Sequence, residues 1–258
     1  MKLFSHNAVI KYKNAESYQI SNTEYNASDL TRIEIEWLSG SIEIVAAESN
    51  DCPARALIEE SGAAVLSEEN KLRTLYENGV LKIKFQKSGC KRGINHAEKH
   101  LKITLSATET LSELQIHSAS AAVFVSDISA QKLQIETASG NAELNNCEAK
   151  NLAIETASGA VSLKNLAGNT AKINTASGNV EICDFTFPDT DVQTASGNVA
   201  LDSGDFEKSQ NGARIIFNTA SGKITAKDGY IPDNGAYLYG NGARRIAVET
   251  ASGSITIK

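Results

Sequence analysis

The sequence predicts an all-β chain, a right-handed parallel β-helix (β-solenoid) with about 19 residues per regular coil. Three observations carry that prediction. Thr-Ala-Ser-Gly occurs six times, with glycines at Gly140, Gly159, Gly178, Gly197, Gly222 and Gly253, and the first four glycines are 19 residues apart. Apolar and polar residues alternate on both sides of each copy. Equivalent positions form columns: Ile116, Ile135, Ile154, Ile173, Val192, Phe217 and Val248 share one, and Val123, Ala142, Val161, Val180, Val199, Ile224 and Ile255 share another. A fixed period describes an architecture and speaks against reading chemistry into any single copy.

The repeat LAIETASGAVSL shows how one coil is built. Leu152, Ile154 and Thr156 alternate with Ala153 and Glu155 before the Ser158-Gly159 corner, after which Val161 and Leu163 alternate with Ala160 and Ser162. Alternation on both sides of a turn signal means two short strands per repeat. A propeller blade needs four strands and roughly 40 residues, which excludes it. Stacked coils remain, each pairing with the next at about 4.8 Å, and crossovers between parallel strands are overwhelmingly right-handed. One coil buries too little apolar surface to fold alone, so stability comes from stacking. Ser118-Ala119-Ser120-Ala121 and Trp37-Leu38-Ser39-Gly40 are worn copies of the corner.

A single domain over 1–258 divides into three zones. Residues 1–30 are polar and weakly patterned. Residues 31–110 carry strands without the strict period, in TRIEIEWLSGSIEI, RALIEE, GVLKIKF and HLKITLS, while VLSEENKLRTLY suits either a helix or a strand. Residues 111–258 hold the regular coils, with insertions at about 202–214 and 226–245 that both finish in Asn-Gly-Ala-Arg.

Composition excludes several function classes. A formal charge of −6 over 258 residues argues against nucleic acid or an anionic membrane surface as the main partner. The start, MKLFSHNAVIKYKNAESY, lacks a signal-peptide core, and there is no apolar stretch near 20 residues, so a cytoplasmic chain without a transmembrane segment is expected, with cell-surface display as the alternative. Cys52, Cys90, Cys147 and Cys183 show no disulfide or zinc spacing. Cys90, His96 and His100 share one segment, which reads as a basic loop around Lys87, Lys91, Arg92 and Lys99; no metal and no cofactor are expected.

The repeated serine is not a nucleophile, since six equivalent copies cannot each have a base when the chain holds four histidines. Ser and Gly form a corner instead, glycine supplying the positive φ of a tight turn. Glu136 and Glu155 share an outward column on adjacent coils, near the separation used by a retaining glycosidase, yet the column continues as Asn174, Gln193, Asn218 and Glu249 and reads as a polar ladder. The candidate ligand surface is the later insertion, where Tyr230, Tyr237 and Tyr239 concentrate, with Arg214 and Arg244 closing the two insertions; tyrosines that pin the loop to the solenoid are the competing explanation. The chain stops after Ser254-Ile255-Thr256-Ile257-Lys258, so an open edge at Ile255 and Ile257 is the candidate surface for self-association.

TRIEIEWLSGSIEI, HLKITLSATETLSELQI leading into the repeats, and NGARRIAVETASGSITIK together resemble the bacterial putative-adhesin family of uncharacterised β-helix domains. The likeness runs from about residue 31 to the end. Members of that family usually place a proline after the strand represented by Leu101–Leu105, where this chain has Ser106-Ala107; one corner is affected. The resemblance implies the fold and a link to the bacterial cell envelope, and it transfers no catalytic or ligand residues. The expected function is a non-catalytic binding or scaffold module with a protein or glycan partner. A surface adhesin and a polysaccharide hydrolase or lyase are the alternatives.

Overall fold

The computed structural model describes residues 10–20, 24–26, 29–47, 55–62, 65–90, 99–106, 110–202, 212–227, 229–234 and 236–258. Cys52, His96 and most of the insertion at 202–214 lie outside them. Apart from one 3-10 turn at Ala15–Ser17, the regular elements are strands. They stack as parallel coils in a solenoid-like sheet.

Ser129–Thr137 pairs in parallel with Glu148–Thr156, placing Leu133 opposite Leu152 and Ile135 opposite Ile154. After the corner, Ala142–Asn145 pairs with the first residues of Val161–Thr175, Ala142 opposite Val161 and Leu144 opposite Leu163. The inward columns form one continuous apolar core along the stack. Period-2 alternation produces this directly, because successive side chains on a strand point to opposite faces.

The corner differs from the expectation in its physics. The six Thr-Ala-Ser-Gly glycines do not have positive φ, whereas Gly40 of the worn copy sits at φ 90°. A Cβ on Gly159 would instead lie 1.9 Å from the carbonyl oxygen of Gly140, and one on Gly178 would lie 1.9 Å from that of Gly159. Glycine is required by the approach of the neighbouring backbone. The threonine holds the corner: Thr137, Thr156 and Thr175 each accept a hydrogen bond at Oγ1 from the glycine N–H three residues on, at 2.8–2.9 Å. In the worn copy Ser118 Oγ accepts from Ala121 N–H at 2.9 Å, so the cap survives there without threonine.

A second corner does use positive φ. Asp127, Asn146, Asn165 and Asp184 sit at φ 49–59°, a left-handed conformation that Asn and Asp tolerate better than other side chains. Their side chains bond along the axis, Asn146 Nδ2 donating to Asp127 Oδ1 at 3.2 Å and Asn165 Nδ2 to Asn146 Oδ1 at 2.8 Å.

Chain order and stacking order part company at both ends. Arg244–Thr250 pairs on one side with Asp189–Thr194 and on the other with Ala213–Thr219. Ile255–Ile257 likewise lies between Val199–Leu201 and Ile224–Thr225. The last coil is therefore inserted between the two coils that precede it. At the other end Arg32–Trp37 lies between Val80–Lys84 and Thr110–Ser118, and Ser41–Ala46 between Lys99–Leu105 and Ala122–Ser126.

This order corrects the expected open edge. Ile255 and Ile257 are buried with a strand on each side. The outermost coil at that end is the Gly222 coil, and two strands of the later insertion fold back on it, Ile231–Asp233 antiparallel to Ala236–Tyr239 and the latter antiparallel to Ala213–Thr219. The opposite end is covered by antiparallel strands as well, Arg73–Glu77 on Val80–Lys84 and Arg55–Gly62 on Lys99–Leu105. The ambiguous VLSEENKLRTLY resolves as a turn followed by the strand Arg73–Glu77.

Candidate functional site

The outward column that ends each first strand faces a groove of about 1160 Å³ along the stack. In stacking order its rim is Glu36, His117, Glu136, Glu155, Asn174, Gln193, Glu249 and Asn218. Eight coils at about 4.8 Å make a run of roughly 34 Å. The floor is made by corner alanines, Ala138, Ala157, Ala176, Ala195, Ala251 and Ala220. Both columns follow from the repeat: the residue before the buried threonine must point outward, and the residue after it lies on the corner.

The rim is unevenly occupied. His117 Nδ1 lies 3.0 Å from Glu136 Oε2, and Gln134 Nε2 donates to Glu136 Oε1 at 2.7 Å. Lys84 pairs with Glu36 at 2.6 Å. Glu155 and Glu249 are exposed and form no ion pair or hydrogen bond among the described residues. The side-chain oxygen of Asn174 is covered and has no donor.

Glu136 and Glu155, singled out in the sequence, are direct neighbours on adjacent strands within this groove. The groove as a whole was not foreseen. Its signal in the sequence is the alanine column at 19-residue spacing, Ala138, Ala157, Ala176 and Ala195.

The structure places the tyrosine-bearing insertion against the end of the stack. Tyr230 is buried with its ring centroid 5.1 Å from that of Tyr239, and Tyr237 packs edge-on against Phe217 at 5.3 Å. Arg214 pairs with Asp233 across the hairpin, and Arg244 donates to the carbonyl of Phe185 at 3.0 Å. These five side chains hold the hairpin and the end coils together. They do not meet the groove.

No three His, Cys, Asp or Glu side chains converge on a metal-binding position among the described residues. His100 Nδ1 lies 2.7 Å from Ser41 Oγ. Cys147 is buried and its thiol is pushed up to about 11 by desolvation, which makes it a poor nucleophile. The corner hydroxyls point at backbone: Ser158, Ser177 and Ser196 each donate to the carbonyl of the alanine on the preceding coil at 3.3–3.4 Å. No helix among the described residues is long and apolar enough to cross a membrane, which says nothing of strands.

Solved structures are similar to the chain over most of their length. A putative adhesin from Bacteroides fragilis superposes with a TM-score of 0.51 at 15% identity, over 92% of this chain and 95% of that one. A putative lipid binding protein from Parabacteroides distasonis follows with a TM-score of 0.47 at 18% identity, over 92% and 95%. A putative cell adhesion protein from Clostridium sporogenes covers 93% of this chain and 98% of its own at 18% identity, with a TM-score of 0.37. At these identities the likeness concerns fold alone. No curated protein matches the chain. With stacked coils, threonine-capped corners and a family match over residues 30–258, the chain belongs to the Toastrack DUF4097 family.

Proposed function

We propose that the chain is a non-catalytic binding module, wound as a right-handed parallel β-helix, that holds an extended ligand along the groove. The observation that supports it best is repetition. Eight coils contribute the same outward position to one continuous rim, which suits a polymer lying across the strands better than a reaction at one point. A link to the bacterial cell envelope belongs to the proposal through the family resemblance. So does the choice of an extended ligand over one held by Tyr230, Tyr237 and Tyr239.

Alanine-methyl NMR of the full chain, with a panel of soluble glycans and peptides, tests it. Shifts at Ala138, Ala157, Ala176 and Ala195 are expected. Shifts confined to Ala236 and its neighbours would move the site to the hairpin and reject the groove.

One observation favours a second reading, hydrolysis of a polysaccharide: Glu136 and Glu155 are adjacent and His117 contacts Glu136. Against it, no aromatic ring among the described residues lines the groove to hold a sugar. Release of reducing ends from a polysaccharide panel, abolished by Glu155→Gln, would establish catalysis; no release by the unaltered chain would dismiss it.

A further inference from the structure

We infer that the groove takes an extended, positively charged polypeptide segment, an inference that rests on the groove being the ligand surface. Four carboxylates line it, at Glu36, Glu136, Glu155 and Glu249, and its remaining polar rim includes the amides of Asn174, Gln193 and Asn218. Among the described residues no lysine or arginine lines it. Lys84 answers Glu36 and His117 answers Glu136, whereas Glu155 and Glu249 have no partner among the described residues. Bound cations would relieve the repulsion between Glu136 and Glu155, one coil apart.

The shape selects the same occupant. Strand ladders on both sides of each central coil consume the backbone donors and acceptors, so recognition must go through side chains. The floor is a row of alanine methyls with no aromatic ring among the described residues, which offers no platform for a sugar face. Lysine and arginine stems can lie on such methyls while their charged heads reach the rim. A run of roughly 34 Å is spanned by about ten extended residues.

The test uses fluorescein-labelled decalysine and the full chain, read by fluorescence anisotropy at low and high salt. Glu155→Gln with Glu249→Gln is compared with Glu143→Gln with Glu148→Gln, which removes equal charge away from the groove; circular dichroism verifies that both variants are folded. The groove pair is expected to weaken binding about tenfold and the control pair less than about twofold. Equal weakening in both variants would reduce the effect to overall net charge and overturn the inference, as would no binding by the unaltered chain. A chitosan hexamer that shifts the groove alanine methyls where decalysine does not would overturn the polypeptide and leave the groove standing. No shift at those methyls with any probe would remove both.

Discussion

Each corner glycine in the middle of the stack lies against the carbonyl of the coil beside it, so one added methyl must push two coils apart. Gly159→Ala is expected to destabilise by more than about 3 kcal/mol in denaturant titration, because the obstacle is backbone and cannot rotate away. Thr156→Val keeps the shape but leaves the Gly159 N–H without its acceptor, for an expected loss of about 1–2 kcal/mol, whereas Thr156→Ser should retain most of the stability, as Ser118 does in its own coil. Lys99 is the other residue with large stakes. It is buried, 2.5 Å from Glu60, and lies over the rings of Trp37 and Phe85. Desolvation lowers its pKa below 10.5, with Glu60 opposing the shift. The unfolded chain then binds more protons between the folded value and 10.5, so this group's contribution to stability rises with pH across that window. Lys99→Met should show this by flattening the pH dependence of the melting temperature above neutrality. It should also cost several kcal/mol by removing the cation that faces the buried Glu60 carboxylate, which keeps the hydrogen bond it accepts from the Leu72 N–H.

At the scale of elements, the strands are set by alternation and the corners by small residues, but the insertions obey neither rule. Ile231–Asp233 and Ala236–Tyr239 form an antiparallel pair because the Gly222 coil would otherwise present an unpaired edge, the hazard that antiparallel covers blunt. Its hold is aromatic: Tyr237 on Phe217, and Tyr230 on Tyr239. Tyr237→Ala is expected to destabilise by about 2–3 kcal/mol, seen first as faster amide exchange in Ala236–Tyr239 and Ala213–Thr219 while the Gly159 coil keeps its protection. Uniform acceleration along the stack would show that the hairpin is not a separate unit. The sequence marked this segment correctly as an aromatic insertion. It could not say which way the rings face, since that depends on Phe217, which the inserted last coil holds in place.

The whole molecule is a stack in which both ends are interleaved. Replacing Ile255 and Ile257 by lysine should therefore unfold the end of the stack, lowering stability by more than about 4 kcal/mol; light scattering that showed a stable, folded variant of altered mass would contradict the burial of these residues. The sequence by itself determined the all-β class, the 19-residue spacing of the paired strands, the inward columns and the outward Glu136–Glu155 pair. All of these are encoded by short-range alternation and by a repeat that neighbouring coils share. Only the tertiary structure decided that the last coil enters between the Gly197 and Gly222 coils, that the glycines answer a carbonyl contact, and that the alanine column floors a groove. The physical reason is the same in each case. The coils at Gly197, Gly222 and Gly253 carry nearly the same pattern, so any order of stacking satisfies it locally. The choice among orders rests on which edges the hairpin and the antiparallel covers can reach, contacts between residues far apart in the chain.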